Sequence, residues 1–314
     1  MYQILIVFVL SLVSTACPHV LKATHSEVEL PHEMVTISAH NANDIFNKSI
    51  TVQAPTFLNI KPIAHNEKKQ LKKKLRSLTK GLMVKEMQEP ALREAANISL
   101  TLKEYDDALI YLKQLSKTTQ SSTVVKVVTL EIADVMFQNG DLKTAAKLYE
   151  EYVNLYPGDK KTAAYAEYKE LLSNNALRAE NDRDQTATLR TIKLADALSE
   201  KQGTFVKQYA PYVQAIKNDC VSQLYNHDVV VFDYYVKKKS FKAAELRLDN
   251  IKTNFLLKRP DLEPSILNCE IRFAQAKNDT IRVAQLSDDL VKRFPEQATR
   301  VAQQTATIDY ISVL

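Results

Sequence analysis

His227 is the only histidine beyond residue 65, so any imidazole chemistry in the larger part of this chain would have to run through it. A histidine acts as a general base, or activates a nucleophile, only when a partner side chain lies within hydrogen-bond reach. No serine or cysteine can be paired with His227 from the sequence, so a structural role is expected. The other five, His19, His25, His32, His40 and His65, are spread at long, irregular gaps. A metal site wants close pairs supported by thiols or carboxylates, and none is expected here. Asp182 and Asp184 could do acid–base work, but Arg178, Arg183 and Arg190 flank them. An ion-pair network or a helix cap is the expected use. The chain has 4 glycines in 314 residues, where the usual rate of about 7% would give roughly twenty. Gly81, Gly140, Gly158 and Gly203 are too far apart to form a phosphate-cradling loop. No cofactor, no metal and no enzymatic activity are expected.

Cys17 is the residue with the clearest chemical reading. It follows ILIVFVLSLVSTA, an apolar run shorter than the roughly 20 residues a spanning helix needs. The run suits a signal peptide over 1–16, with small Ser14 and Ala16 preceding the cut. A cysteine at the new N-terminus resembles a bacterial lipoprotein signal, so Cys17 is expected to carry a lipid and hold the protein at a membrane. Only Cys220 and Cys269 remain. Two thiols do not make a disulfide framework, and burial as small apolar side chains or a single bridge are both open.

The charge is localised. Net charge is +5, from 42 basic and 37 acidic residues. EKKQLKKKLRSLTK, Glu67 to Lys80, holds seven basic residues and one acidic, leaving 35 basic and 36 acidic elsewhere. The basic balance belongs to one segment and does not argue for a nucleic-acid-binding body. Leu71, Leu75, Leu78 and Leu82 recur at helical spacing, which predicts a basic amphipathic helix over 67–88. Such a helix packs on the body with its lysines in solvent, or lies on an anionic membrane; the packed form is the preferred reading. Residues 17–66, broken by Pro18, Pro31, Pro55 and Pro62, read as a tether with short extended patterns such as MVTISA and SITVQA.

From Pro90 onward the pattern is helix after helix. The clearest unit, TLEIADVMFQNGDLKTAAKLYEEYVNLYPGD, has two amphipathic halves broken at Asn139-Gly140-Asp141 and stopped at Pro157-Gly158. That is the size and shape of a tetratricopeptide pair. Ala145 allows close helix approach and Tyr149 fills space one turn on. The same frame falls on Ala108 and Leu112, on Thr191 and Ala195, on Ala244 and Leu248, and on Val283 with Pro295. The fold class is therefore all-α, an α-solenoid of about five tetratricopeptide-like helix pairs over 90–314 behind a long, mostly irregular tether. The third pair has a longer loop around Arg178 to Arg183.

Three stretches then carry a family resemblance. YPGDKKTAAYAEYKELLSNN has a repeat-ending proline followed by Tyr165, Ala166 and Tyr168. DRDQT (Asp182 to Thr186) is an Asp/Arg-rich turn. VVVFDYYVKKKSFKAAELRLDNI carries Tyr234, Tyr235, Phe241, Ala243, Ala244 and Arg247, with Lys238 and Lys239 in the turn between. Together they resemble the BamD family, lipoproteins of the outer-membrane β-barrel assembly machine. The resemblance implies a non-enzymatic scaffold at the periplasmic face of the outer membrane, lipid-anchored through Cys17. It implies a BamA-type β-barrel subunit, other lipoproteins of that complex and unfolded outer-membrane precursors as partners, and no nucleic acid. Precursor contact is implied toward the early repeats and barrel-subunit contact toward the late ones. Tyr234, Tyr235 and Arg247 are the candidate partner-binding residues. An intramolecular ion pair near Glu245 or Asp249 is the competing use of Arg247. Two other readings stay open: a soluble periplasmic adaptor of a peptidoglycan or other envelope complex, and a membrane-surface protein acting through the lysine helix.

Overall fold

The computed structural model of the protein describes residues 32–37, 50–55, 58 and 63–295. The expected signal peptide over 1–16, Cys17 and residues 296–314 lie outside the described residues. Within the tether, β1 (His32–Ile37) and β2 (Ile50–Pro55) form an antiparallel ribbon, in register from His32 opposite Pro55 to Ile37 opposite Ile50. Both strands carry the β-branched Val, Ile and Thr that fit extended backbone.

The other elements among the described residues are helices. A first helix, α1 (His65–Thr79), is followed by a short 3-10 turn, Val84–Glu86. The helix expected over 67–88 thus stops at Thr79. Gly81, at φ 76°, turns the chain there. Five antiparallel pairs come next: α2 (Glu89–Leu102) with α3 (Tyr105–Thr118), and α4 (Ser122–Gln138) with α5 (Leu142–Leu155). They continue with α6 (Lys160–Ala176) and α7 (Thr186–Ser199), α8 (Thr204–Lys237) and α9 (Phe241–Phe255), and α10 (Glu263–Ala276) and α11 (Thr280–Arg293). Among the described residues no helix is long and apolar enough to cross a membrane. The chain divides into two compact units. Among the described residues, one comprises those up to Ala179 together with Thr186–Asn218; the other comprises Glu180–Gln185 and those from Asp219 to residue 295.

The repeat frame is written in the turns. Lys103, Gly140, Lys239 and Asn278 all have left-handed backbone, with φ of 60°, 84°, 56° and 59°. Each lies five positions ahead of a frame residue: 103 before Ala108, 140 before Ala145, 239 before Ala244, 278 before Val283. After each, the next amide donates back to close the helix end: Glu104 to the Ser99 carbonyl at 2.8 Å, and Asp141 to Met136, Ser240 to Tyr235 and Asp279 to Ala274 at 3.0 Å. Asp141, Asp159 and Asp279 then cap the following helices by accepting from the amides of Thr144, Thr162 and Arg282. The α6–α7 pair is the exception, with the longer loop 177–185 in place of the tight turn.

The frame residues go where close packing needs them. Ala108, Leu112, Ala145, Tyr149, Thr191, Ala195 and Ala244 are all fully buried. In the first unit Leu92, Ala96 and Leu100 of α2 pack with Leu112 and Leu115 of α3 and Val128 of α4, and Leu75 of α1 rests against this core. In the second, Leu267 and Ile271 of α10 meet Leu286 and Leu290 of α11. Cys220 and Cys269 are buried free thiols, with no bridge between them.

A left-handed backbone costs a side-chain-bearing residue about 1–2 kcal/mol that glycine does not incur, partly offset by glycine's greater unfolded freedom. Lys239→Gly should therefore stabilise the protein by about 0.5–1 kcal/mol, read as a higher midpoint of denaturant unfolding with unchanged slope. A fall in stability would mean the turn at Lys239 is not the left-handed one.

Candidate functional site

A cluster of polar side chains lies inside the first unit. Asp134 on α4 and Lys169 on α6 have no exposed surface. Asp134 accepts from the phenol of Tyr149 on α5 at 2.5 Å, and from the phenol of Tyr165 on α6 at 2.6 and 2.5 Å. The Lys169 ammonium stands 3.9 Å from the same carboxylate and 3.7 Å from the centre of the Phe137 ring. Burial, reinforced by the negative charge of Asp134, pushes the Tyr149 phenol well above its ordinary pKa, so it stays a donor. Three successive helices are thereby tied to one carboxylate. Tyr168, also on α6, continues the internal aromatic packing against Phe205 and Tyr209 at the start of α8.

Glu167 and Glu170 lie on the side of α6 turned away from Tyr165, about 160° and 140° around the helix at 3.6 residues per turn. They line a cleft of about 170 Å³ together with Glu150, Val153, Leu194 and Leu198 from α5 and α7, and Arg190 spans it. The Arg190 guanidinium donates to Glu170 at 2.6 Å and to Glu150 at 2.8 Å. Burial raises the Glu170 carboxyl pKa, and the Arg190 hydrogen bond pulls it part of the way back. Lys201 pairs with Glu167. The cleft has charged rims, apolar patches and no nucleophile. It is large enough for one or two side chains of an extended segment, and it suits docking.

In and around the Asp/Arg-rich turn, several of the polar side chains have identified partners. Arg190 goes to Glu150 and Glu170, and Arg178 donates to the Asn175 carbonyl at 3.2 Å. Asp182 and Asp184 are exposed. In the second unit, Gln185 is the residue that shapes the loop: its amide donates to the carbonyls of Glu180 and Arg183 at 2.8 and 2.9 Å and accepts from Gln223 at 3.1 Å. His227 Nδ1 lies 2.5 Å from the Asn181 carbonyl, a contact that only a protonated Nδ1 makes. The one histidine of the five helix pairs is thus engaged in holding a loop.

The candidate partner residues lie on α8 and α9. Tyr234 is 56% exposed, and its ring meets that of Tyr235 edge-on at 5.5 Å. Arg247 donates to Asp228 of α8 at 2.8 Å. Its ion-pair partner is therefore across the helix pair, not the sequence-near Glu245 or Asp249. Asp228 and Tyr235 are seven residues apart and share a face of α8, so Arg247 is held on the Tyr235 side. Deeper in the same unit Arg272 donates to both oxygens of Asp233 at 2.7 Å and lies over the Phe232 ring. Among the described residues no group of three or more His, Cys, Asp or Glu side chains is placed to hold a metal.

The buried network has a measurable signature. Asp134→Leu strands the Lys169 charge and two phenols and should cost about 3–5 kcal/mol. Asp134→Leu combined with Lys169→Met should recover a large part of that loss. Simple additivity in denaturant unfolding would mean the two charges are not coupled.

Comparison with known proteins gives one clear result. A family described as an outer membrane lipoprotein, YfiO, matches residues 85–260, which run from the 3-10 turn before α2 through α9. A search of curated proteins finds no match. The matched stretch covers more than half of the chain and contains the buried network, the cleft and the α8–α9 pair. The chain belongs to the YfiO family of outer membrane lipoproteins, the BamD family.

Proposed function

We propose that this protein is a non-enzymatic scaffold of outer-membrane β-barrel assembly. It docks a BamA-type barrel subunit, the other lipoproteins of that complex and unfolded outer-membrane precursors. A lipid on Cys17 holds it at the periplasmic face of the outer membrane. The family match over 85–260 carries this reading, and the arrangement of the helix pairs is in keeping with it. The α5–α7 cleft, with apolar floor and charged rims, suits an extended precursor segment. Tyr234, Tyr235 and Arg247, on the late repeats, are the proposed contact to the barrel subunit.

Of the three, Tyr234 presents most ring to solvent and is the natural anchor, since exposed aromatics contribute disproportionately when an interface closes over them. Arg247→Ala is the less clean probe, because it also leaves Asp228, itself largely buried, without its guanidinium.

Affinity purification from crosslinked membranes tests the reading as a whole. Barrel subunit and sister lipoproteins should co-purify, and Tyr234→Ala should lower barrel-subunit recovery about fivefold or more, as loss of an interface aromatic worth about 1 kcal/mol or more would, with the melting temperature unchanged. The Cys17→Ser protein should leave the detergent-soluble membrane fraction and lose palmitate-analogue labelling. Recovery of cell-wall enzymes in place of a barrel subunit would replace the proposal with the envelope-adaptor reading.

A further inference from the structure

The lysine-rich helix presents two stripes. Leu71, Leu75 and Leu78 face inward and are partly buried, with Leu75 against the α2–α3 core. Lys72 and Lys74, on the flanks, pair with Glu104 at 2.8 Å and with Glu94. Lys69, Lys73, Arg76 and Lys80 repeat the same i, i+4, i+7, i+11 spacing two residues out of step with the leucines. They therefore lie on the side turned away from the body. All four are exposed, and among the described residues none of them makes an ion pair. Glu67, the only acid of α1, falls on the leucine side. The result is a straight row of four uncompensated cations about 16 Å long at 1.5 Å per residue, rigidly backed by the first repeat.

We propose that this row is a docking surface for an anionic phospholipid bilayer, acting as an electrostatic contact that orients the first unit against the membrane. The apolar stripe is already occupied by the body, so α1 does not insert as a free amphipathic helix does; its attraction is between cations and headgroups. A protein seat would need a central apolar or aromatic anchor; Gln70 and Ser77 beside the cations offer none, and the nearest exposed apolar side chains stand beyond the Lys80 end of the row. A nucleic acid would need basic surface beyond one helix, and outside Glu67–Lys80 the chain has 35 basic and 36 acidic residues. The family is one of outer membrane lipoproteins, which puts a lipid surface within reach. Just beyond Lys80, Leu82 and Met83 are half exposed, and they can add a shallow apolar contact at that end of the row. The inference rests on that membrane setting and does not depend on which protein partners the repeats bind.

Vesicle sedimentation with the full chain carrying Cys17→Ser, so that no lipid anchor contributes, tests it. Vesicles with phosphatidylglycerol as about a third of their lipid should bind the protein, pure phosphatidylcholine vesicles should not, and added salt should weaken the binding. Reversing the row (Lys69→Glu, Lys73→Glu, Arg76→Glu, Lys80→Glu) should weaken binding by about a hundredfold or more, at roughly fivefold per cation. The corresponding glutamine variant should lose less, and circular dichroism should show both variants fully helical. Reversing four exposed lysines elsewhere (Lys113→Glu, Lys117→Glu, Lys143→Glu, Lys193→Glu) makes the same charge change and should leave most binding intact. Equal losses in the two reversed proteins, equal binding to neutral vesicles, or tighter binding to a DNA duplex than to the anionic vesicles would overturn the proposal. None of these outcomes bears on the barrel-assembly reading.

Discussion

A single buried carboxylate sets the geometry of the first unit. Asp134 draws a phenol from α5, a phenol from α6 and the Lys169 ammonium to within 4 Å. Apolar contacts between helices are tolerant of small slides, because dispersion and area burial have no preferred direction. Hydrogen bonds of 2.5–2.6 Å to one carboxylate have direction and length. A charge pair with no solvent is also costly to break, since either partner left alone is a buried ion. The network thus converts three helices that could pack in several ways into three that pack in one.

What the cleft offers follows from that. Glu167 and Glu170 project from the far side of the helix that the network pins, and Arg190 reaches across from α7 to hold Glu170 and Glu150. A docking protein performs no chemistry, so its affinity depends on how little it must reorganise when a partner arrives. A fixed α6 presents its carboxylates and the apolar floor between them in advance. Arg247 with Asp228 and Arg272 with Asp233 fix α8 against α9 and α10 in the same manner, leaving Tyr234 exposed on a framework that does not have to move.

Much of this architecture was legible in the sequence because it rests on spacing. The alternation of small and large residues at Ala108 and Leu112, or Ala145 and Tyr149, marks the second helix of a pair, and these side chains are buried as expected. The buried network was not legible. Tyr149 reads as a space-filler, and its hydroxyl is silent about a partner. Asp134 and Lys169 sit on otherwise apolar stripes thirty-five positions apart, and a charge there reads as a helix edge until the two are seen together. Turn chemistry was half legible: Gly140 announces a left-handed residue, whereas Lys103 and Lys239 adopt the same backbone with no local signal, held by the packing of the helices they join. DRDQT drew attention to its charges, and the uncharged Gln185 within it, whose amide donates to two carbonyls of the loop, was passed over.

Hydrogen exchange, followed by mass spectrometry on the full chain, tests most directly whether the fold is organised around Asp134. Amides exchange at the rate their surroundings open, so the segment that fixes its neighbours opens last. The α4, α5 and α6 amides should be protected to the level of global unfolding and should become exchangeable together, after α1 and α11. Opening of α4–α6 piecemeal, or at the same stage as α1, would contradict the account.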